Sequence, residues 1–414
     1  MFRPLRRDQK MRLCYLPATV RAAVAWLVLG LLPTAQAADV TIGARYRADV
    51  GNQYARFGSS NEWICRTWSA LCKSASENAV DLPFGTYYKI SKKDAGTRDQ
   101  YYVRVPPPRT LQVRREGGNE VLDLVFEITH VSQYAVVTAA SPVQNNSPIA
   151  TYDVRNCSVA RAPLPPAGLG GVFQWKFVSG KYCYSSSSLG SIGDWRESLV
   201  SRTGIGYKLS LPSPTKVASG IYRGSMTFTV GGVGADIDFG EGVDRLGNSL
   251  TIDFEVDLRH ELKVDFPPGS DRAVLEPPGG WLAWPGGRVP PQLARDLSFR
   301  LTTSGPFTVY AACEYPLGGS GFCTLKNHQN GEGVVLDLAM SLPAGVKYNN
   351  GPVQRMRIHA NTGRRMRLVP DSATSALPGT VHFWIRESWV ASMLQKPPGT
   401  YRGGVTLLFD AEVL

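Results

Sequence analysis

The chain has 414 residues, 43% of them hydrophobic and 10% aromatic, with 42 Gly and 29 Pro and a formal net charge of +11. That balance excludes a disordered or collagen-like polymer and describes globular domains, about two by length. Much of the charge belongs to the first segment: Arg3, Arg6, Arg7, Lys10, Arg12 and Arg21, against the single acid Asp8, precede the apolar run from Ala22 to Leu32. Ala35-Gln36-Ala37 then offers the small residues a signal peptidase needs, so a secretory signal is expected over 1–37. Its apolar core is too short to span a bilayer, which takes about 20 residues. The exported remainder would hold 377 residues with a net charge of +6. So mild an excess makes no case for nucleic acid; it suits a protein that meets acidic surfaces or glycans, and equally one that is merely soluble.

Cys14 leaves with the signal, and Cys65, Cys72, Cys157, Cys183, Cys313 and Cys323 remain. An even count in an exported chain reads as three disulfides, most simply 65–72, 157–183 and 313–323, although six cysteines permit other connectivities. There is no CxxC, and His130, His260, His328, His359 and His382 stand apart, so neither a metal nor a cofactor is expected.

From Asp39 to about Leu258, short alternating runs recur: Tyr101–Val105, Val121–Ile128, Gly171–Phe177, Tyr207–Leu211, Ile221–Val230 and Leu250–Leu258. Pro106-Pro-Pro108, Asn145–Pro148, Pro163–Gly171 and Gly231–Gly234 separate them. Strands divided by such turns, without a long amphipathic helix, predict an antiparallel sandwich or barrel. Arg259-His260-Glu261 interrupts the pattern, and Leu262–Phe266 starts a new strand that stops at Pro267-Pro268. The expected organisation is therefore a first domain over 38–258, a linker at 259–261 and a second domain over 262–414. The second continues with strands at Asp296–Thr302, Phe307–Cys313, Gly333–Leu342, Arg364–Val369 and Thr380–Arg386. One or two helical turns are expected within Glu387–Gln395, and about 150 residues of mostly strand fit an immunoglobulin-like sandwich.

The closing run, Tyr401 to Val413, alternates almost without a break: Tyr401, Val405, Leu407, Phe409, Ala411 and Val413 share one face. It predicts one half-buried strand. The same G-x-Y-R-G opening precedes Met226–Val230, which reads either as duplication of a sandwich domain or as coincidence.

In their order, Tyr207–Leu211, Gly220–Val230, Phe254–Leu258, Val334–Gly345, Asn349–Gly351 and Pro398–Thr406 resemble the CblD-like (CfaE-like) minor tip adhesins, the pilus initiators of class 5 alternate chaperone–usher fimbriae. The resemblance runs from about Trp63 to Leu414. It implies an all-β chain of two tandem immunoglobulin-like sandwiches, an amino-terminal adhesin domain and a carboxy-terminal pilin domain that lacks one strand. The groove so left would take a strand from a periplasmic pilus chaperone and then, at the outer-membrane usher, from the major pilin. Leu262, Val264, Phe266, Tyr401, Val405, Leu407 and Phe409 are the residues expected in its region. Such β-strand addition draws affinity from main-chain hydrogen bonds and register from alternating pockets. Ala38–Arg47 leads into the first domain with no evident donor extension, and a subunit that accepts but does not donate can stand only at the tip of a fimbrium on the cell surface.

The family's receptor pocket uses arginines at positions that read Gly58–Ile64 and Gly231–Gly242 here, and neither is matched. Candidate substitutes for a host glycan or glycoprotein ligand are Trp63, Arg66 and Trp68 around the Cys65–Cys72 loop and Arg245 in the 231–249 loop, with Arg45, Arg47 and Arg56 upstream. Aromatic faces stack on sugar rings and guanidinium groups grip carboxylates; alternatively, the two tryptophans are core residues beside a disulfide.

No G-x-S-x-G, H-E-x-x-H or P-loop occurs, and no catalytic residue is expected. His260-Glu261 reads as a charged spacer, Asp236, Asp238, Glu241 and Asp244 as an acidic surface loop, and Arg355, Arg357 and Arg364–Arg367 as solvated strand faces. The leading expectation is a fimbrial tip adhesin, not an enzyme. Its rivals are an exported β-sandwich hydrolase acting on carbohydrate and a self-sufficient exported binding module.

Overall fold

The computed structural model describes residues 40–47, 56–57, 62–74, 76–138, 153–161, 170–178, 182–186, 190–212, 214–244, 246–360, 364–395 and 399–411. The expected signal segment and Arg245 lie outside them. The described chain is all-β, interrupted by two short helices before residue 73, two 3-10 turns and one helix at Glu387–Leu394.

Up to Arg259, sixteen strands join in one hydrogen-bonded network. Ser249–Arg259 shows why it forms: Leu250, Ile252, Phe254, Val256 and Leu258 alternate inward and are essentially inaccessible, while Asp253, Glu255 and Asp257 face outward. One edge pairs antiparallel with Gly220–Gly231. The other pairs in parallel with Val40–Arg47, from Val40 opposite Ile252 to Arg47 opposite Arg259. The network is therefore not purely antiparallel, as the sequence suggested. Val121–Val137 and Trp195–Ser210 are much longer than their periodic cores and stay paired through two register shifts, which bend them around the core. Phe126 anchors that core, with Tyr207, Phe228 and Phe254 ring centroids at 5.7, 5.9 and 5.3 Å.

Beyond Leu262 a seven-stranded and a five-stranded sheet enclose a second apolar cluster. Leu338, Met340, Val381 and Phe383 come from one sheet, Phe307, Val309 and Leu368 from the other. The three disulfides are Cys65–Cys72, Cys157–Cys183 and Cys313–Cys323, the pairs closest in sequence.

The terminal run is not one strand. Tyr401–Arg402 pairs with Lys326 and Asn327 in the larger sheet, whereas Val405–Ala411 pairs with Phe307–Cys313 in the smaller. The chain crosses between sheets at Gly403-Gly404, where a Cβ on Gly403 would lie 2.9 Å from the Thr324 carbonyl oxygen. The earlier G-x-Y-R-G segment is a single continuous strand, Gly220–Gly231, with the Tyr222 hydroxyl donating to the Ala218 carbonyl at 2.7 Å. The two copies thus build different structures, which removes the structural basis for reading them as a duplication.

Arg259-His260-Glu261 is no charged spacer. His260 is half-buried: its Nε2 meets the Val217 carbonyl at 2.8 Å and its backbone N–H donates to Ser219 Oγ at 3.1 Å. The Glu261 N–H donates to Ser304 Oγ at 2.8 Å. The tripeptide is thereby tied to residues on both sides of it in sequence.

Candidate functional site

From Leu262 onward several strands have a partner along one edge only, among the described residues, and two of them flank the same apolar cluster. Leu262–Asp265 pairs with Arg300–Thr303 at the margin of the seven-stranded sheet. Val405–Ala411 pairs with Phe307–Cys313 at the margin of the five-stranded one. Each leaves a row of backbone donors and acceptors without strand partners, the feature that makes an edge receptive to another strand.

Burial distinguishes these strands from their neighbours. Phe307, Val309 and Ala311 are inaccessible, as is Leu301. Val405, Leu407 and Phe409, and on the other margin Leu262 and Val264, pack against the same core yet remain half-exposed. An inward side chain beside a complete sheet should be covered; these lack cover on one flank. Phe266, 39% exposed, packs on Phe299 at 5.2 Å, and Phe299 meets Phe409 at 5.8 Å, so three rings carry the apolar surface from one margin to the other. Six of the seven residues expected at the groove therefore line the two margins. Tyr401 lies instead at the opposite margin of the larger sheet, beside Asn327.

The expected ligand-binding residues are organised differently. Trp63–Thr67 and Ser69–Cys72 are short helices that cap the first network. The Asp81 carboxylate accepts the N–H groups of Trp63 and Ile64 at 2.7 and 2.9 Å, fixing the start of the first helix. Ile64 and Leu71 fill hollows left by Gly204 and Gly206, where a Cβ would approach their side chains to 2.9 and 2.8 Å. Trp68 Nε1 donates to the buried Ser132 hydroxyl at 2.6 Å, and Trp63 packs beside the Arg202 guanidinium at 5.7 Å. Both tryptophans belong to a small satellite core with Ile64, Cys65 and Leu71. Arg66 is exposed on this cap, and Arg45 is exposed beside Asp257. Both tryptophans pack in this satellite core and remain partly exposed.

Buried charge in the first half escaped the sequence reading. Asp238, fully inaccessible, receives both terminal guanidinium nitrogens of Arg98, and Arg98 also reaches Glu241 at 3.3 Å. Asp236 pairs with Arg109. The supposed acidic surface loop is pinned by arginines 127 and 140 residues upstream. Lys89, also inaccessible, donates to the Phe239 carbonyl; burial pushes its pKa down to about 7, opposed by the Asp238 charge. Nearby, the Tyr101 hydroxyl donates to Gln133 at 2.7 Å and Gln133 to the Tyr87 hydroxyl at 2.6 Å. Among the described residues, no group of three or more His, Cys, Asp or Glu side chains could hold a metal ion. The basic runs are not simply solvated: Arg357 lies over the Phe322 ring and Arg365 over Tyr310.

Fold and margins together define an all-β protein in which two sheet margins carry half-exposed apolar side chains. No protein-family model and no curated protein matches its sequence. Solved structures do match. The chaperone–tip adhesin complex of CFA/I fimbriae does so at 10% identity, over 92% of this chain and 98% of that one, with a TM-score of 0.26. The G168D mutant of CfaE, the CFA/I adhesin of enterotoxigenic E. coli, does so at 11% identity over 91% and 93%, with a TM-score of 0.27. The CsuC–CsuE chaperone–tip adhesion subunit pre-assembly complex of archaic Csu pili from Acinetobacter baumannii follows at 9% identity over 90% and 99%, with a TM-score of 0.23. Likeness at such scores bears no weight by itself.

Proposed function

We propose that this chain is a fimbrial tip adhesin and initiator of pilus assembly. Residues 38–258 form the adhesin domain, 259–261 the junction and 262–414 a pilin domain that accepts a strand between Leu262–Asp265 and Val405–Ala411. A periplasmic chaperone fills the furrow first; at the outer-membrane usher the major pilin's extension replaces it. The exported subunit then stands at the fimbrium tip and presents its first domain to a host glycan or glycoprotein.

One observation carries this reading: inward side chains on Leu262–Asp265 and Val405–Ala411 are half-exposed while those on the strands beside them are inaccessible. An inserted strand would cover that apolar surface and pair the free backbone groups in one step.

The experiment is a fusion of the neighbouring pilin's amino-terminal strand behind Leu414 by a short linker. The fused chain should accumulate in the periplasm as soluble monomer, and the unfused chain should aggregate or be degraded unless the chaperone is co-expressed. Equal solubility of both without the chaperone would overturn the proposal.

A further inference from the structure

The outer face of the seven-stranded sheet gathers three side chains that the sequence keeps apart. His382 stands on the strand Thr374–Arg386, directly opposite Asp296 on Gln292–Thr303. On its other side runs Gly333–Ser341, ending in Ser341. Leu297, Leu342, Val381 and Phe383 point into the core, so Asp296, Ser341 and His382 point out of it.

His382 Nδ1 lies 2.9 Å from Asp296 Oδ1, and its Nε2 lies 2.9 Å from Ser341 Oγ. A carboxylate only accepts hydrogen bonds, so the neutral imidazole carries its proton on Nδ1 and offers Nε2 to the serine hydroxyl. Ser341 Oγ in turn accepts the backbone N–H of Arg355 at 2.9 Å. Arg355 holds a φ of 45°, a left-handed conformation that costs a side-chain-bearing residue energy and tends to occur at functional positions. Its guanidinium lies 5.6 Å from the ring of Trp384, two residues from His382 on the same face.

Hydroxyl, imidazole and carboxylate in this order make a serine nucleophilic. We propose that Ser341 is an acyl-accepting nucleophile, with His382 as its general base and Asp296 as a positioning residue. The substrate class is activated esters, preferably with a carboxylate on the acyl group for the Arg355 guanidinium to hold. Ser341 Oγ bonds to the ester carbonyl carbon as its proton passes to His382 Nε2. The bond from that carbon to the alcohol oxygen breaks, and the leaving oxygen takes the proton. Water, deprotonated by the same Nε2, then attacks the acyl carbon, releasing the acid and returning a proton to Ser341. Ester and water become acid and alcohol, with no other reactant. This activity is independent of strand acceptance at the open edges.

A network that merely ties three strands together would have the same distances but would leave the serine unreactive. The purified full-length chain should be incubated with a fluorophosphonate probe and with mono-4-nitrophenyl succinate. Expected are a probe adduct on the peptide containing Ser341 and release of 4-nitrophenolate. His382→Gln should slow labelling about a hundredfold or more, the usual range for loss of a general base, with an unchanged circular dichroism spectrum. Asp296→Asn, at a side chain 54% exposed, should retain the fold and slow labelling by a smaller factor. An unmodified Ser341, or labelling as fast in either variant as in the parent chain, would overturn the proposal.

Discussion

Phe299 and Phe409 belong to different sheets, yet their rings meet edge to face at 5.8 Å. Phe299 is inaccessible and Phe409 half-covered, so the contact joins the buried core to the sheet margin. The two rings should answer differently to mutation. Phe299→Ala leaves a cavity in the core and should cost about 3–5 kcal/mol, read from urea unfolding of the strand-fused chain.

Leu407 lies on the same margin but is only half-buried. Leu407→Asp should cost the unoccupied chain little and yet abolish capture of a donor-strand peptide, because insertion would then desolvate an unpaired carboxylate. Fluorescence titration with the labelled peptide checks this; unimpaired capture would place the acceptor site elsewhere.

At the helical cap, Trp68→Phe removes the hydrogen bond to Ser132 while keeping most of the ring's apolar area. It should destabilise the first half by about 1 kcal/mol. Glycan-array binding by this variant should match the parent if Trp68 serves the core, whereas lost binding at unchanged stability would restore it as a ligand residue.

At the junction, a Cβ on Gly305 would collide with the His260 ring. Gly305→Ala should therefore push the imidazole out of its site and break its bond to the Val217 carbonyl. Limited proteolysis should cut at 259–261 in the variant and spare the parent chain.

His130 is buried, with its Nδ1 2.8 Å from the Thr129 hydroxyl, and burial lowers its pKa from 6.5 to about 4. The unfolded chain thus takes up a proton near pH 6.5 that the folded chain refuses until about pH 4. Stability from this group is full above pH 6.5 and declines by at most a few kcal/mol as pH falls to 4. Urea midpoints at pH 7 and pH 4.5 should differ less in His130→Gln than in the parent.

Sequence alone determined what depends on near neighbours. Side chains alternate across a strand whatever its partner, so the β character of Leu250–Leu258 or Phe307–Cys313 could be read directly. Cysteines close along the chain meet easily, and the three short pairings formed. Only the tertiary structure decided what depends on partners distant in sequence. Alternation from Tyr401 to Val413 carries no sign that Gly403-Gly404 sends its two parts to different sheets. Trp63 and Trp68 suit a sugar platform or a core by type; the hollows over Gly204 and Gly206, more than a hundred residues away, receive Ile64 and Leu71 from their helices. Asp296, Ser341 and His382 carry no motif, because strand register rather than spacing along the chain brings them together. Whether a strand's second edge finds a partner is likewise a property of the assembled sheets, since each residue's own side chain is silent about what its backbone will meet.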